Sequence, residues 1–282
     1  MASVKETKQR MSNIRSTKQI IKALDMISSV KLQKARARLD GVRPLYRDLK
    51  RVAEGLKYCE EAGEHVFTEK REVKYSAYIV LTSDKGMCGS YNVKVAEAAL
   101  AHMNAGKNEK ILAVGATGSE YFSRHGKNIL HRFTHISEAN MYGDAGRLSE
   151  HITRLYVSGE VDEVFIAYTC FDSMLSYLPR VEQVLPLPNE PDGTGKTGRL
   201  CYEPDVHSFI DHLVPLYLHT CFFAAASESD TCEHAARMVN MQSADKNAEE
   251  VLSDLNRVYN RKRQAAITQE LTEIIGGANL LT

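Results

Sequence analysis

Tryptophan is absent, the 17 glycines and 7 prolines are few for 282 residues, and 36 Lys+Arg are offset by 36 Asp+Glu. So few turn formers point toward helix. A neutral total argues against a nucleic-acid-binding module, whose basic footprint usually shows in the sum. No apolar run reaches the roughly 20 residues of a membrane span; the most apolar, Leu213 to Ala226, is interrupted by Pro215, His219 and Thr220. Met1 to Arg10 is charged and lacks the apolar centre of a signal peptide, so no leader is expected to be removed. Cysteines 59, 88, 170, 201, 221 and 232 show neither C-x-x-C nor Cys/His spacing, which favours ordinary buried thiols over disulfides or zinc. The 43% apolar share suffices for a packed core, and the length allows one or two domains.

The neutral total hides segregation. Residues 1–57 hold fifteen Lys+Arg against five Asp+Glu, a net of +10, whereas 58–206 sum to −6 and 207–282 to −4. Such a split implies pairing between segments or partners of opposite sign.

Glycine and proline are missing from Met1 to Asp40 and again from Leu216 to Ile275. The second stretch would be about 90 Å long as one helix, more than this chain's own globular part can cover. Met238, Met241, Ala244, Ala248, Val251, Leu255 and Val258 step by three and four, the narrow seam of a coiled coil. Ile14, Ile20, Ile21, Leu24, Ile27 and Val30 offer compatible spacing in the first helix, and an antiparallel pair is the simplest arrangement. Between them, Tyr75–Thr82, Lys110–Val114 and Val164–Thr169 read as strands, with helices near 93–104, 117–125 and 144–158. Alternation of strand and helix implies a small parallel sheet. The predicted class is thus α/β: a long antiparallel coiled coil plus a Rossmann-like domain. Its parts are an N-terminal helix over 1–57, a globular domain over 70–190, a linker over 191–206 and a C-terminal helix over 207–282.

Candidate chemistry is thin. Gly195-Lys196-Thr197 ends like a Walker A loop, but Glu190 stands where that loop needs glycine, and the flanks are proline-rich. Gly115-Ala-Thr-Gly118 follows a strand as in a dinucleotide fingerprint, yet lacks one glycine and the acidic residue further on, so a tight βα turn is the better reading. Ser83 to Asn92, S-D-K-G-M-C-G-S-Y-N, lies where an α/β enzyme would put its site. Cys88 there has no local His/Asp arrangement, and a buried thiol is favoured over a nucleophile. His212 and His219 sit two turns apart without a third ligand. No cofactor or metal is predicted. The basic first helix could bind phosphates, dock on acidic loops or be merely solvated; a rod in need of cover favours docking. The apolar tip, Ala278, Leu280 and Leu281, would fray in water and looks built to sit inside something.

Three long motifs point to one family. K-Q-R-M-S-N-I-R-S-T-K-Q-I-I-K-A-L-D-M-I-S from Lys8, the Ser83–Asn92 turn, and A-R-M-V-N-M-Q-S-A-D-K-N-A from Ala236 through Y-N-R-K-R-Q-A-A-I-T-Q-E-L-T-E-I-I-G-G-A closely resemble the γ subunits of F-type ATP synthases over essentially the whole chain. The likeness is to bacterial forms, without a transit peptide or the chloroplast regulatory insertion. It implies a rotor without bond chemistry, threading the α3β3 hexamer, with ε and the membrane c-ring at its foot, peripheral on the cytoplasmic face of the inner membrane. The resemblance assigns contacts with β to Arg237, Arg263, Gln264, Thr268 and Glu270, and the c-ring foot to Tyr202 and Glu203. The seam would hold Ile20, Leu24, Ile27, Met238, Met241, Ala244, Val251 and Leu255. Asp25, Met87 and Ser90 depart from the family motifs. The competing classes, a Rossmann-type enzyme and a non-rotating coiled-coil adaptor, predict respectively ligand binding by the isolated chain and indifference of an α3β3 ATPase to it.

Overall fold

A computed structural model describes residues 4–279 apart from 60, 70, 104–107, 135–138, 175, 189–201 and 204; for Tyr58 and 276–279 only the backbone is described. The Gly195-Lys196-Thr197 loop, most of the 191–206 linker, Cys201, Leu280, Leu281 and the side chain of Ala278 lie outside the described residues. In chain order the elements are α1 (Val4–Gly55), two 3-10 turns (Leu56–Tyr58, Glu61–Glu64), β1 (Tyr75–Leu81), α2 (Tyr91–His102), β2 (Asn108–Val114), α3 (Ala116–Arg124), β3 (Ile129–Phe133), α4 (Met141–Val157), β4 (Glu163–Phe171), β5 (Tyr177–Leu185) and α5 (Val206–Asn279). The chain divides into two compact units, Met1–Ser29 with Met238–Thr282, and Val30–Arg237.

The first unit is the start of α1 packed on the end of α5. Lys18 Nζ lies 3.0 Å from Glu249 Oε2 and 3.9 Å from Asp245 Oδ1, while Thr7, earlier in α1, accepts from Lys262 at 3.5 Å. Residue numbers therefore rise on one helix as they fall on the other, which is antiparallel pairing. The covered row of α1 runs Val4, Thr7, Met11, Ile14, Lys18, Ile21, Asp25, Ser28, in alternating steps of three and four. On α5 it runs Met238, Met241, Asp245, Ala248, Leu252, Leu255, Tyr259, Lys262, Ala266, with Ala244 half-buried beside it. Leu24 is half-buried too, but Ile20 is 61% exposed, Ile27 52% and Val251 42%. The helix pair closes on a mixed row, in which Thr7, Lys18, Asp25 and Ser28 are interspersed with apolar residues, and leaves a second apolar stripe open beside it.

The second unit is built on a five-stranded sheet of order β3-β2-β1-β4-β5. The β2–β3, β1–β2 and β1–β4 pairs are parallel, whereas β4 and β5 are antiparallel. A fully parallel sheet is what the sequence pattern predicts; the short return from Phe171 to Tyr177 cannot make a crossover, so β5 must pair antiparallel. Side chains alternate between two cores. Ala77, Ile79, Leu81, Leu112 and Ile166 face Leu148 and Ile152 of α4, Val214, Leu218 and Phe222 of α5, and Ala53 of α1. Tyr78, Val80, Ile111, Ala113 and Ala167 face Val95, Ala99 and Phe122 of α2 and α3. Helices thus cover both faces, as a mostly parallel sheet requires. Strand β3 (ILHRF) is an exposed edge and β5 (YLPRVEQVL) an edge strand carrying Pro179, so neither shows the apolar run that marks β1, β2 and β4.

Helix α5 contains a window apolar enough by length and composition to cross a membrane, contrary to the sequence expectation, and 56% of that window is buried within the molecule. Its apolarity serves the core: Ile210, Val214, Leu218, Cys221 and Phe222 are all buried under the sheet.

Candidate functional site

The C-terminal ends of β1 and β2 are where an open α/β sheet would hold a ligand. A cavity of about 80 Å³ lies there, lined by Thr82, Ser83, Asp84, Tyr91, Gly115 and Glu233 among others. It is well below the ~300 Å³ of ordinary small-molecule pockets. Polar groups around it are engaged with one another. Gly115 stands at φ +95 with Thr82 packed against its Cα, and Thr82 Oγ1 accepts the Gly118 N–H at 2.9 Å. The glycines thus answer a close approach by β1 rather than by a pyrophosphate. Asp84 accepts the Ala116 N–H at 2.9 Å and so ties the β1 turn to the start of α3.

The Ser83–Asn92 turn is held from inside. Asn92 Oδ1 accepts the Ser83 N–H at 2.8 Å, and Asn92 Nδ2 donates to Ser83 Oγ at 2.7 Å and to Cys88 Sγ at 3.2 Å. Cys88 is 1% exposed, and burial pushes its thiol up, which disfavours the thiolate a nucleophile needs. At the tip, Met87 has φ 62 and is 60% exposed. Left-handed backbone at a non-glycine residue costs about 1 kcal/mol or more and persists only where surroundings impose it.

Arg237 supplies part of that constraint. Its guanidinium donates to the carbonyls of Lys85 (3.1 Å) and Gly86 (3.3 Å), to Glu233 Oε1 (2.7 Å) and to His234 Nδ1 (3.3 Å). With Nδ1 accepting, the His234 proton sits on Nε2, 3.2 Å from Asp230 Oδ1. Asp230 in turn receives Arg38 Nη1 of α1 at 3.1 Å. Burial alone would raise the Asp230 carboxyl, but His234 and Arg38 hold it below its ordinary value; at Glu233 burial outweighs Arg237 and the carboxyl is raised. Sequence reasoning missed Arg38, Asp230 and Glu233. Two carboxylates placed just after the most apolar run of the helix were the available signal, since buried charges need partners.

The remaining candidates are apart from this network. Arg263, Gln264, Thr268 and Glu270 are exposed on α5, where Thr268 Oγ1 donates back to Gln264 O at 2.9 Å. Beyond Ala266 every side chain through Ile275 is exposed, including Ile267, Leu271, Ile274 and Ile275 at 47–68%. Tyr202 is half-buried with its ring 5.0 Å from Phe209, and Glu203 is exposed. His212 and His219 each meet a backbone carbonyl, Ser208 O at 2.7 Å and Tyr142 O at 2.9 Å. Among the described residues no cluster of three or more His, Cys, Asp or Glu is placed to hold a metal.

Comparison with known proteins decides what such an assembly is. The ATP synthase family model matches residues 3–281. The ATP synthase gamma chain of Alkaliphilus metalliredigens is 36% identical over 99% of this chain and 98% of its own, and that of Desulforamulus reducens 34% over the full length of both. The chain belongs to the ATP synthase gamma-chain family. Among solved structures, the rotor of the Euglena gracilis mitochondrial ATP synthase matches with TM-score 0.70 at 17% identity, covering 94% of this chain and 98% of that one. A chain of the OSCP/F1/c-ring assembly from the same organism matches with TM-score 0.74 at 18% identity, covering 99% and 94%. These two bear on the fold alone. A gamma chain is the non-catalytic rotor subunit of ATP synthase, a membrane-associated complex. The polar network at the strand ends therefore belongs to a non-catalytic subunit.

Proposed function

We propose that the chain turns inside a ring of alternating α and β subunits, with ε and the c-ring at its foot, on the cytoplasmic face of a bacterial plasma membrane. The observation that carries this reading is the end of α5. From Ile267 to Ile275 four large apolar side chains stand open, with no partner helix against them among the described residues, an arrangement that is unfavourable in water and needs an apolar sleeve. The open stripe of Ile20, Met26 and Ile27 on α1 wants cover for the same reason.

Coupling then follows from linkage. A shaft without three-fold symmetry touches three catalytic subunits differently, so each angle favours a different conformation and nucleotide affinity at each site, and rotation exchanges them in order. Arg263, Gln264, Thr268 and Glu270 offer charged and polar contacts to β that can be made and released at each step, and Tyr202 with Glu203 marks the foot. In domain terms, 1–57 and 207–282 form the shaft, 70–190 the globular body and 191–206 the linker. The direct test is reconstitution with matching α and β subunits. A stable complex with cooperative ATPase activity is expected; an α3β3 ATPase indifferent to the chain would overturn the reading in favour of a passive adaptor.

A further inference from the structure

We propose that Arg237 is a positioning residue that acts through the Lys85–Gly86 turn, clamping it in one shape, rather than by touching a neighbouring subunit. The family resemblance assigns this arginine to a contact with β, but its side chain is only 9% exposed and its donors are directed inward. Three of its hydrogen bonds end on the carbonyls of Lys85 and Gly86, the two residues that immediately precede the left-handed Met87. A guanidinium fork is suited to this, because its planar donors fix two successive carbonyls at once, which an ammonium cannot do.

The clamp is itself anchored. Glu233, one turn earlier on α5, accepts at 2.7 Å from Nη2, a nitrogen that also holds the turn, while Nη1 meets His234, which continues through Asp230 to Arg38 on α1. On the opposite side, Asn92 of α2 fixes Ser83 and the Cys88 sulfur. The turn is therefore gripped by α5 and α2 together, and its exposed apolar tip, Met87, is presented in a conformation that a free loop would leave. Within the rotor reading, on which this inference rests, a shift of α5 relative to α1 reaches the turn through side chains that each have a fixed partner.

The test uses the full chain with Arg237→Lys and Arg237→Met. Alkylation of each cysteine is followed by mass spectrometry, first on the isolated chain and then on the reconstituted complex with α and β. Cys88 is the reporter, because it lies in the turn at 1% exposure, and Cys221 and Cys232, buried elsewhere along α5, report global folding. Loss of charge-assisted hydrogen bonds should speed Cys88 alkylation by about tenfold or more with Cys221 and Cys232 still protected, and coupled turnover should fall. Cys88 protection unchanged while turnover falls would mean that Arg237 works by direct partner contact, and would sink the clamp while leaving the rotor reading intact. A mobile turn with undiminished coupling would also overturn it. Because the alkylation is read on the isolated chain, failure of the chain to assemble with α and β counts against the rotor reading alone. Should both variants deprotect Cys221 and Cys232, Asn92→Ala loosens the same turn without touching α5; undiminished coupling in that variant overturns the proposal and reduced coupling supports it.

Discussion

Glu228 is held by one edge of the Arg43 guanidinium, Nε donating to Oε1 at 2.7 Å and Nη2 to Oε2 at 2.9 Å. The same groups close on the end of β4: Arg43 donates to the Phe171 carbonyl at 2.6 Å, and the Phe171 N–H donates to Glu228 Oε2 at 2.7 Å. One bidentate pair thus fastens α1, α5 and the sheet. Removing either partner strands the other. Arg43→Ala should destabilise the chain by about 2 kcal/mol, less than a fully buried pair would cost because Arg43 keeps 36% of its side-chain exposure. Glu228→Ala should cost at least as much, since its carboxylate also satisfies Phe171. Urea unfolding of both singles and the double variant checks this, and the double should fall short of the sum of the singles.

Glycine 115 makes a second expectation, with Gly126 as its control. Both have positive φ, +95 and +65. A Cβ at Gly115 would lie 2.7 Å from Thr82 Oγ1 and closer still to its carbonyl, whereas at Gly126 nothing lies within 4 Å. Gly126→Ala should cost about 1 kcal/mol of backbone strain, and Gly115→Ala about 3 kcal/mol or more, because β1 and α3 must separate as well. Equal melting temperatures for the two variants would contradict the close approach.

Much of this architecture was legible because its signals are local. The absence of Gly and Pro marks α1 and α5, and the Val, Ile and Tyr runs mark the three central strands. What escaped depends on facing surfaces. The seam looked apolar by spacing, yet its covered row includes Thr7, Lys18, Asp25 and Ser28, because the partner helix decides which of two neighbouring stripes is covered. Ile20 and Ile27 satisfied the period and stand open. The charge split was visible in the totals, but only the fold shows that part of it closes internally, through Arg43–Glu228, Arg38–Asp230 and Lys18–Glu249. The turn at Ser83–Asn92 was recognisable as a motif, while its clamp lies about 150 residues away in sequence, beyond any spacing rule.

Asp25 supplies the third expectation. Its Oδ1 is buried in the helix pair and has no hydrogen-bond partner among the described residues. An unsatisfied buried acceptor costs stability that an apolar residue of similar size would return. Asp25→Leu should therefore raise the stability of the isolated chain by about 1 kcal/mol, read as a higher thermal midpoint of the helical signal. A lower midpoint would show that the carboxylate is satisfied in solution.

A fourth concerns pH. Burial first, then the neighbouring His131, holds the His151 imidazole below its ordinary value of 6.5, with Arg154 lowering it and Glu160 raising it. The rings of His131 on β3 and His151 on α4 are 5.1 Å apart, and Phe133 packs beside them. With the folded value depressed, the unfolded chain binds more protons below pH 6.5, so this contribution is complete above that pH and is lost as pH falls toward the folded value. His151→Gln should flatten the decline of the urea midpoint between about pH 7 and pH 5. An unchanged slope would remove His151 from the acid sensitivity.

The last expectation separates the shaft's surface from its interior. Arg263 and Gln264 are exposed on α5, and among the described contacts only the Gln264 carbonyl is engaged, by Thr268. Arg263→Ala together with Gln264→Ala should leave the fold and the thermal midpoint of the isolated chain within about 0.5 kcal/mol of the parent. If these side chains bias the conformation of a neighbouring catalytic subunit, the same pair should lower coupled turnover of the assembled complex by about tenfold, a coupling energy of ordinary size for two linked sites. Assembly should survive, because the apolar side chains from Ile267 to Ile275 remain to fill their sleeve. ATP synthesis and hydrolysis measured in membranes carrying the pair decide the matter: undiminished rates would take both residues out of the contact set, and loss of assembly would make them part of the grip rather than of the coupling.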